Sequence, residues 1–267
     1  MKMEVSKGVN LFVQDWGRGK PIVFVHGWPY GHRIFEYQMM QLAKKGYRAI
    51  GFDLRGYGYS ERPWDGNDYD TWSGDIGRVI RNLDLRDVTL VGYCMGGAMA
   101  AHYWATNRDP RVTKLALVST ALPYAASTSE DKKWYDATIR SCYDDQAKCT
   151  WDFTSNIFHK PVSAEYNRWL VDLGRIASIH ACIRGLEEMR DRDLSSELGK
   201  ITIPTRIYHG VYDKVIPFNK AEALQKIIKG SILVRFENSG HAIYWDEKDT
   251  FVSELEKFAA EALAKAA

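Results

Sequence analysis

The sequence predicts an α/β protein, with a mostly parallel central sheet covered by helices. Three observations predict it. Short apolar runs such as Pro21-Ile-Val-Phe-Val25 and Val88-Thr-Leu-Val91 read as strands buried on both faces. Segments with helical spacing alternate with those runs, the signature of parallel β-α-β units. The alternation lapses from about 121 to about 198 and then returns, so one domain carries a helical insertion.

The elements follow in order. Residues 4–16 alternate weakly around Lys7-Gly8, which predicts an N-terminal hairpin. Pro21 to His26 is a strand, broken by His-Gly-Trp-Pro. Ile34, Phe35, Met39 and Leu42 form a helical stripe, closed by Gly46 as a C-cap. Tyr47 to Leu54 is the next strand, Arg55 to Ser60 a loop, and Asp70 to Asp84 a helix. Val88 to Gly92 is a strand, Ala98 to Thr106 a small-residue helix, and Val112 to Ser119 another buried strand. The insertion is polar and helix-rich, with Trp134, Tyr135, Trp151, Phe153, Phe158, Tyr166 and Trp169 scattered through it. Strands return at 203–209 and 232–236, with helices near 218–229 and from about 246 to 264. The expected organisation is a core of residues 1–120 and 199–267 with a helical cap over 121–198.

Composition narrows the function. Lys plus Arg is 36 and Asp plus Glu is 34, a net charge of +2. That balance gives no argument for nucleic acid or an acidic membrane surface as partner. Runs such as Asp131-Lys-Lys133 read as solvated faces. The four cysteines, Cys94, Cys142, Cys149 and Cys182, show no CxxC spacing and no paired framework. Neither a zinc site nor a disulfide scaffold is expected, and a reducing compartment suits them better. The N-terminus has no apolar signal region, and no run approaches a membrane-spanning length. A cytoplasmic location is the expectation.

The informative segment is Gly92-Tyr-Cys-Met-Gly-Gly97. It lies where a buried strand turns sharply into a helix. A nucleophile held on such a turn needs small residues at −2 and +2, so that strand and helix can close together. Gly92 and Gly96 supply them. Cys94 also stands at a helix N-terminus, where the dipole and free N–H groups favour a thiolate. A free cysteine is more often a packed structural residue; its partners decide otherwise. A thiol nucleophile needs a base, and the base an orienting carboxylate. Asp213, in His209-Gly-Val-Tyr-Asp213, and His241, in Glu237-Asn-Ser-Gly-His241, both follow predicted strands. They come in the order nucleophile, acid, histidine. The oxyanion donors are the N–H groups of Met95 and of Trp28 in the His26-Gly-Trp-Pro29 loop. His26 is expected to brace that loop, and Asp53 and Arg55 to hold the loop through Ser60.

These motifs together resemble the α/β-hydrolase superfamily over essentially the whole chain. The chain is most similar to the branch of cofactor-free haloperoxidases (perhydrolases), arylesterases and enol-lactone hydrolases. The resemblance implies an α/β-hydrolase fold with a cap after the sixth strand, above the catalytic centre. That branch normally has serine where Cys94 stands. Cysteine within Gly-Tyr-Cys-x-Gly-Gly resembles the dienelactone hydrolases instead. Cys94 is either native or a replacement of serine.

The expected chemistry is hydrolysis of a small carboxylic ester or lactone through a thioacyl-enzyme on Cys94. Thiolate is a better leaving group than alkoxide, so activated esters and lactones suit it better than amides. Trp28, Tyr93, Trp134, Trp151 and Ile243 are the candidate substrate contacts. No metal or organic cofactor is expected, nor a nucleic-acid or membrane partner; the oligomeric state is open. Lyases, cofactor-free oxygenases and non-hydrolytic binders share the fold, so fold alone does not decide among them.

Overall fold

The structure is a computed structural model that describes residues 1–121 and 128–262. The start of the expected cap (122–127) and the end of the expected last helix (263–264) lie outside the described residues.

Eight strands form one sheet: β1 (Lys2–Ser6), β2 (Val9–Gly17), β3 (Pro21–Val25), β4 (Arg48–Phe52), β5 (Val88–Tyr93), β6 (Val112–Val118), β7 (Thr205–Gly210) and β8 (Ile232–Phe236). Their spatial order is β1-β2-β4-β3-β5-β6-β7-β8. β2 runs antiparallel to β1 and β4, and the remaining pairs are parallel. Every residue of β3 and β5 is buried, which is why their sequences are apolar runs rather than alternations. β8, at the edge, is largely half-buried or exposed.

Helices α1 (Glu36–Lys44), α2 (Tyr69–Asn82), α3 (Met95–Asn107), α8 (Phe218–Ile227), α9 (Ile243–Asp246) and α10 (Lys248–Ala260) flank the sheet. A short 3-10 turn, His32–Phe35, precedes α1. Past the end of α1 the chain reverses at Gly46 with φ 87°, a conformation that favours glycine. Asp68 caps α2, its carboxylate accepting from Thr71 N at 2.8 Å. Two elements differ from expectation. α3 begins at Met95 rather than Ala98. Its first turn holds Gly96 and Gly97, poor helix formers, because a Cβ there would run into the carbonyls of Val25 and His26 or into Thr120 and Gly92 O. The last helix is divided at Glu247. The Glu247 carboxylate turns back to accept from Asn238 N at 3.0 Å and Ser239 Oγ at 2.6 Å.

Between β6 and β7 lie α4 (Ser129–Thr154), α5 (Ala164–Arg175), α6 (Ile179–Asp191) and α7 (Ser195–Leu198). Ser163 and Ser178 cap α5 and α6. α4 is interrupted at Asp145, which is extended at φ −161° and ψ 91°. The Asp145 carboxylate accepts from Lys148 N at 2.9 Å, as an N-cap for the second half of the helix. These helices are tied to the core by hydrogen bonds. Trp28 Nε1 donates to Cys182 O at 3.0 Å, Tyr57 Oη to Ala181 O at 2.9 Å, and Ser178 N to Gly56 O at 2.8 Å. Among the described residues no helix is long and apolar enough to cross a membrane.

Candidate active site

The strand-to-helix turn after β5 sets the site. Cys94 has φ 51° and ψ −121°, a strained backbone for a residue with a Cβ. The close approach around it explains the glycines. A Cβ on Gly92 would fall 2.4 Å from Gly96 O, and one on Gly96 would fall 2.3 Å from His26 O. Those atoms are backbone and cannot step aside. A Cβ on Gly27 would fall 2.7 Å from the Cβ of Cys94 itself. The His26-Gly27-Trp28 loop is therefore pressed directly against the cysteine.

Asp213 and His241 come from the loops after β7 and β8. His241 Nδ1 donates to Asp213 Oδ2 at 2.8 Å. The other carboxylate oxygen accepts from Val215 N and Ile216 N, each at 2.8 Å. His209 Nε2 lies 3.3 Å from Asp213 Oδ2 and donates to Ile216 O at 2.8 Å. Burial opposes the charge on Asp213, but His241 and His209 outweigh it and hold its carboxyl well below the usual range. Burial likewise opposes the His241 cation; the Asp213 carboxylate and then Cys94 overcome it and raise the imidazole to about 10. His241 is fully buried, and its Nε2 has no hydrogen-bond partner among the described residues. The nearby Cys94 sulfur acts on the ring without closing a well-formed hydrogen bond.

The His241 loop is held from several sides. Its backbone carbonyl accepts from Ser119 Oγ at 2.9 Å, and Gly240 N donates to Asp246 Oδ2 at 2.8 Å. Ala242 N donates to Ile157 O at 2.9 Å.

His26 accepts at Nε2 from Leu54 N at 3.0 Å, so Nδ1 carries the proton and donates to Gly27 O at 3.1 Å. Burial lowers its pKa to about 4, and the neutral ring pins the loops after β3 and β4 together. Asp53 accepts from His32 N at 2.7 Å and Tyr59 N at 2.8 Å. Arg55 forms a buried two-pronged pair with Asp75, at 2.7 and 2.8 Å. The amides of Trp28 and Met95 are not donors in any hydrogen bond among the described residues.

A cavity of about 10 Å³ opens in front of Cys94, lined by Trp28, Ala121, Trp134, Tyr135, Phe153 and Leu186 among others. That is room for roughly one water. Of the candidate substrate contacts, Trp28 and Trp134 are in its wall. Tyr93 is not: its ring is buried beside His241, 5.0 Å between centroids. Ile243 is fully buried away from it, and Trp151 faces a different groove with Phe158 and His159. Residues that the sequence did not assign to the site are Ala121, Tyr135, Phe153, Leu186, Met189, Val215 and Ile216. For Val215 and Ile216 a signal existed, since they directly follow Asp213.

The chain belongs to the alpha/beta hydrolase fold family, whose pattern matches residues 20–248. It is 42% identical over 263 residues to the AB hydrolase superfamily protein YisY of Bacillus subtilis (strain 168), covering 96% of this chain and 97% of that one. It is 30% identical to the non-heme chloroperoxidase CPO-A1 of Kitasatospora aureofaciens, over 94% and 96% of the two chains. Among solved structures, an esterase (EaEST) from Exiguobacterium antarcticum superposes with a TM-score of 0.94 at 37% identity, covering 97% of this chain and 99% of that one.

Proposed function

We propose that this protein hydrolyses small carboxylic esters or lactones through a thioacyl-enzyme, with Cys94 as nucleophile, His241 as acid and base, and Asp213 as orienting carboxylate. Relatives that include an esterase and a haloperoxidase support the ester-hydrolase reading. The observation that carries the residue assignment is the buried Asp213–His241 bond of 2.8 Å beside a cysteine held at φ 51° on a helix N-terminus.

The steps follow from the geometry. His241 Nε2 takes the Cys94 thiol proton, the sulfur attacks the carbonyl carbon, and the carbonyl oxygen becomes an oxyanion. It is received by the unpaired N–H groups of Met95 and Trp28, each worth about 3 kcal/mol of barrier. His241 Nε2 gives its proton to the departing alkoxide, leaving a thioester on Cys94. Nε2 then takes a proton from water, the resulting hydroxide attacks the thioester, and the thiolate leaves with the acid formed. Asp213 holds Nδ1 protonated throughout. The apolar lining suits an acyl group, which would enter only as side chains such as Trp134 move aside, and α4 and α6 supply much of that wall.

The test is p-nitrophenyl acetate hydrolysis by the parent, Cys94→Ala and His241→Ala, with intact mass after quenching. Turnover lost in both variants, with one acyl group trapped on Cys94 of the parent, is expected. Unchanged turnover in Cys94→Ala, or an acyl group elsewhere, would sink the assignment. Ligand stabilisation without product would point to a binding protein instead.

A further inference from the structure

Outside the catalytic centre the chain carries a second arrangement of thiols. Cys142 and Cys149 are both free and buried, and their sulfurs lie 3.2 Å apart. Seven positions along an unbroken helix span about 10.5 Å, beyond the roughly 7 Å that two α-carbons can lie apart in a disulfide. The interruption at Asp145, midway between the two, allows their approach. Cys149 also lines a surface cavity of about 380 Å³, with Trp134, Thr138, Ser141, Asp152 and Lys214. Cys142 lies behind it. Either sulfur can donate to the other, a contact that lowers the Cys149 pKa and raises that of Cys142, and the Cys149 thiol also reaches Thr138 O at 3.7 Å. A third thiol, Cys182, is buried nearby, with Gln146 Nε2 3.8 Å from its sulfur.

The geometry points to Cys142 and Cys149 as a reversible dithiol–disulfide site, in which Cys149 reacts with a hydroperoxide and Cys142 resolves the product. In the first step the Cys149 thiolate attacks the distal peroxide oxygen. The O–O bond breaks, a sulfenic acid forms on Cys149, and the other oxygen takes up the proton that the Cys149 thiol gave up and leaves as water or alcohol. In the second, the Cys142 sulfur attacks the sulfenic sulfur. The S–O bond breaks, and its oxygen leaves as water with the Cys142 proton. The peroxide gains two electrons and each cysteine gives up one. The sulfurs must close by only about 1 Å to reach bonding distance, so the helical halves keep their places. Trp134 and Tyr135 stand on the first half and Phe153 on the second, and all three line the cavity before Cys94. The link therefore ties together two parts of that wall.

The experiment treats the native protein with hydrogen peroxide, blocks remaining thiols and maps the peptides. We expect an intramolecular Cys142–Cys149 link, a loss of two hydrogens in that peptide, and full return with dithiothreitol. In Cys142→Ser the reaction should stop at a sulfenic acid on Cys149 that dimedone captures. Linkage through Cys182 or Cys94, linkage between chains, or a Cys149 that reacts only after denaturation overturns the proposal. The mapping on the parent protein needs no variant, so a misfolded substitution would not blur the result.

Discussion

Gly27→Ala is the sharpest probe of how closely the His26-Gly27-Trp28 loop rests on Cys94, the proposed nucleophile. The new Cβ would stand 2.7 Å from Cys94 Cβ, 2.8 Å from Tyr93 O and 3.0 Å from Tyr93 Cδ1. Two carbons rest at about 3.5–4.0 Å, so loop and nucleophile must part by roughly 1 Å. Neither can yield cheaply, because Cys94 is held in a tight turn at φ 51° and the Tyr93 carbonyl is backbone of β5. A displacement of that size at a reacting centre costs about a hundredfold in rate, or close to 3 kcal/mol of barrier. Overpacking itself should cost about 1–3 kcal/mol of stability. The assay is pre-steady-state and steady-state hydrolysis of p-nitrophenyl acetate, with urea unfolding run on the same samples. Acylation should slow, with KM changing less. Gly46→Ala serves as the comparison: its Cβ meets nothing within 4 Å, although φ is 87°. That variant should lose about 1–2 kcal/mol of stability and keep its kinetics. A folded Gly27→Ala protein with kcat/KM within about threefold of the parent, under 1 kcal/mol, would refute the reasoning.

His241 should stay protonated well above the ordinary 6.5 and titrate near 10, as followed by NMR of its ring protons. Because its folded pKa is raised, its stabilising contribution is complete below 6.5 and is lost as pH climbs through about 10. Melting temperature should therefore fall across that interval, and Asp213→Asn should flatten the fall; a His241 titration below 7 contradicts the buried ion pair. Arg55→Ala leaves Asp75 buried with only the half-exposed Arg78 at 3.2 Å, and should destabilise by about 3 kcal/mol. A urea midpoint unchanged by that substitution would remove Arg55 from its structural role. Trp134→Ala opens one wall of the 10 Å³ cavity. The ratio of octanoate to acetate ester hydrolysis should then rise by at least about tenfold, the scale of one methylene's discrimination, and an unchanged ratio would place the acyl group elsewhere.

Much of the fold is legible because parallel strands buried on both faces leave unbroken apolar runs. β3 and β5 are the clearest cases. The partners around Asp213 and His241 are legible for a related reason: each follows a strand, and strand ends converge at one edge of a parallel sheet. The cavity wall is harder to read. Trp151 and Phe153 are two residues apart on α4, about 200° around the helix axis, so one can face the cavity while the other faces away. Sequence alone did not orient that helix. Tyr93 and Cys94 are adjacent, yet the sharp turn sends Tyr93 beneath His241. The break at Asp145 was also hidden, because an aspartate within a polar helical pattern reads as surface until its carboxylate is seen to cap the next turn.

The insertion between β6 and β7 has a consequence for the order in which the molecule becomes competent. Cys94 precedes the insertion, while Asp213 and His241 follow it. During synthesis, a chain that has emerged as far as α7 already carries the cysteine, its tight turn and most of its cover. It has neither the histidine nor the aspartate. The two strands that deliver them are laid down last, at the outer side of the sheet. The proposed partnership of Cys94 with His241 therefore joins residues 147 positions apart, the kind of long-range pairing that forms slowly. On the proposed assignment, the onset of activity coincides with completion of the sheet.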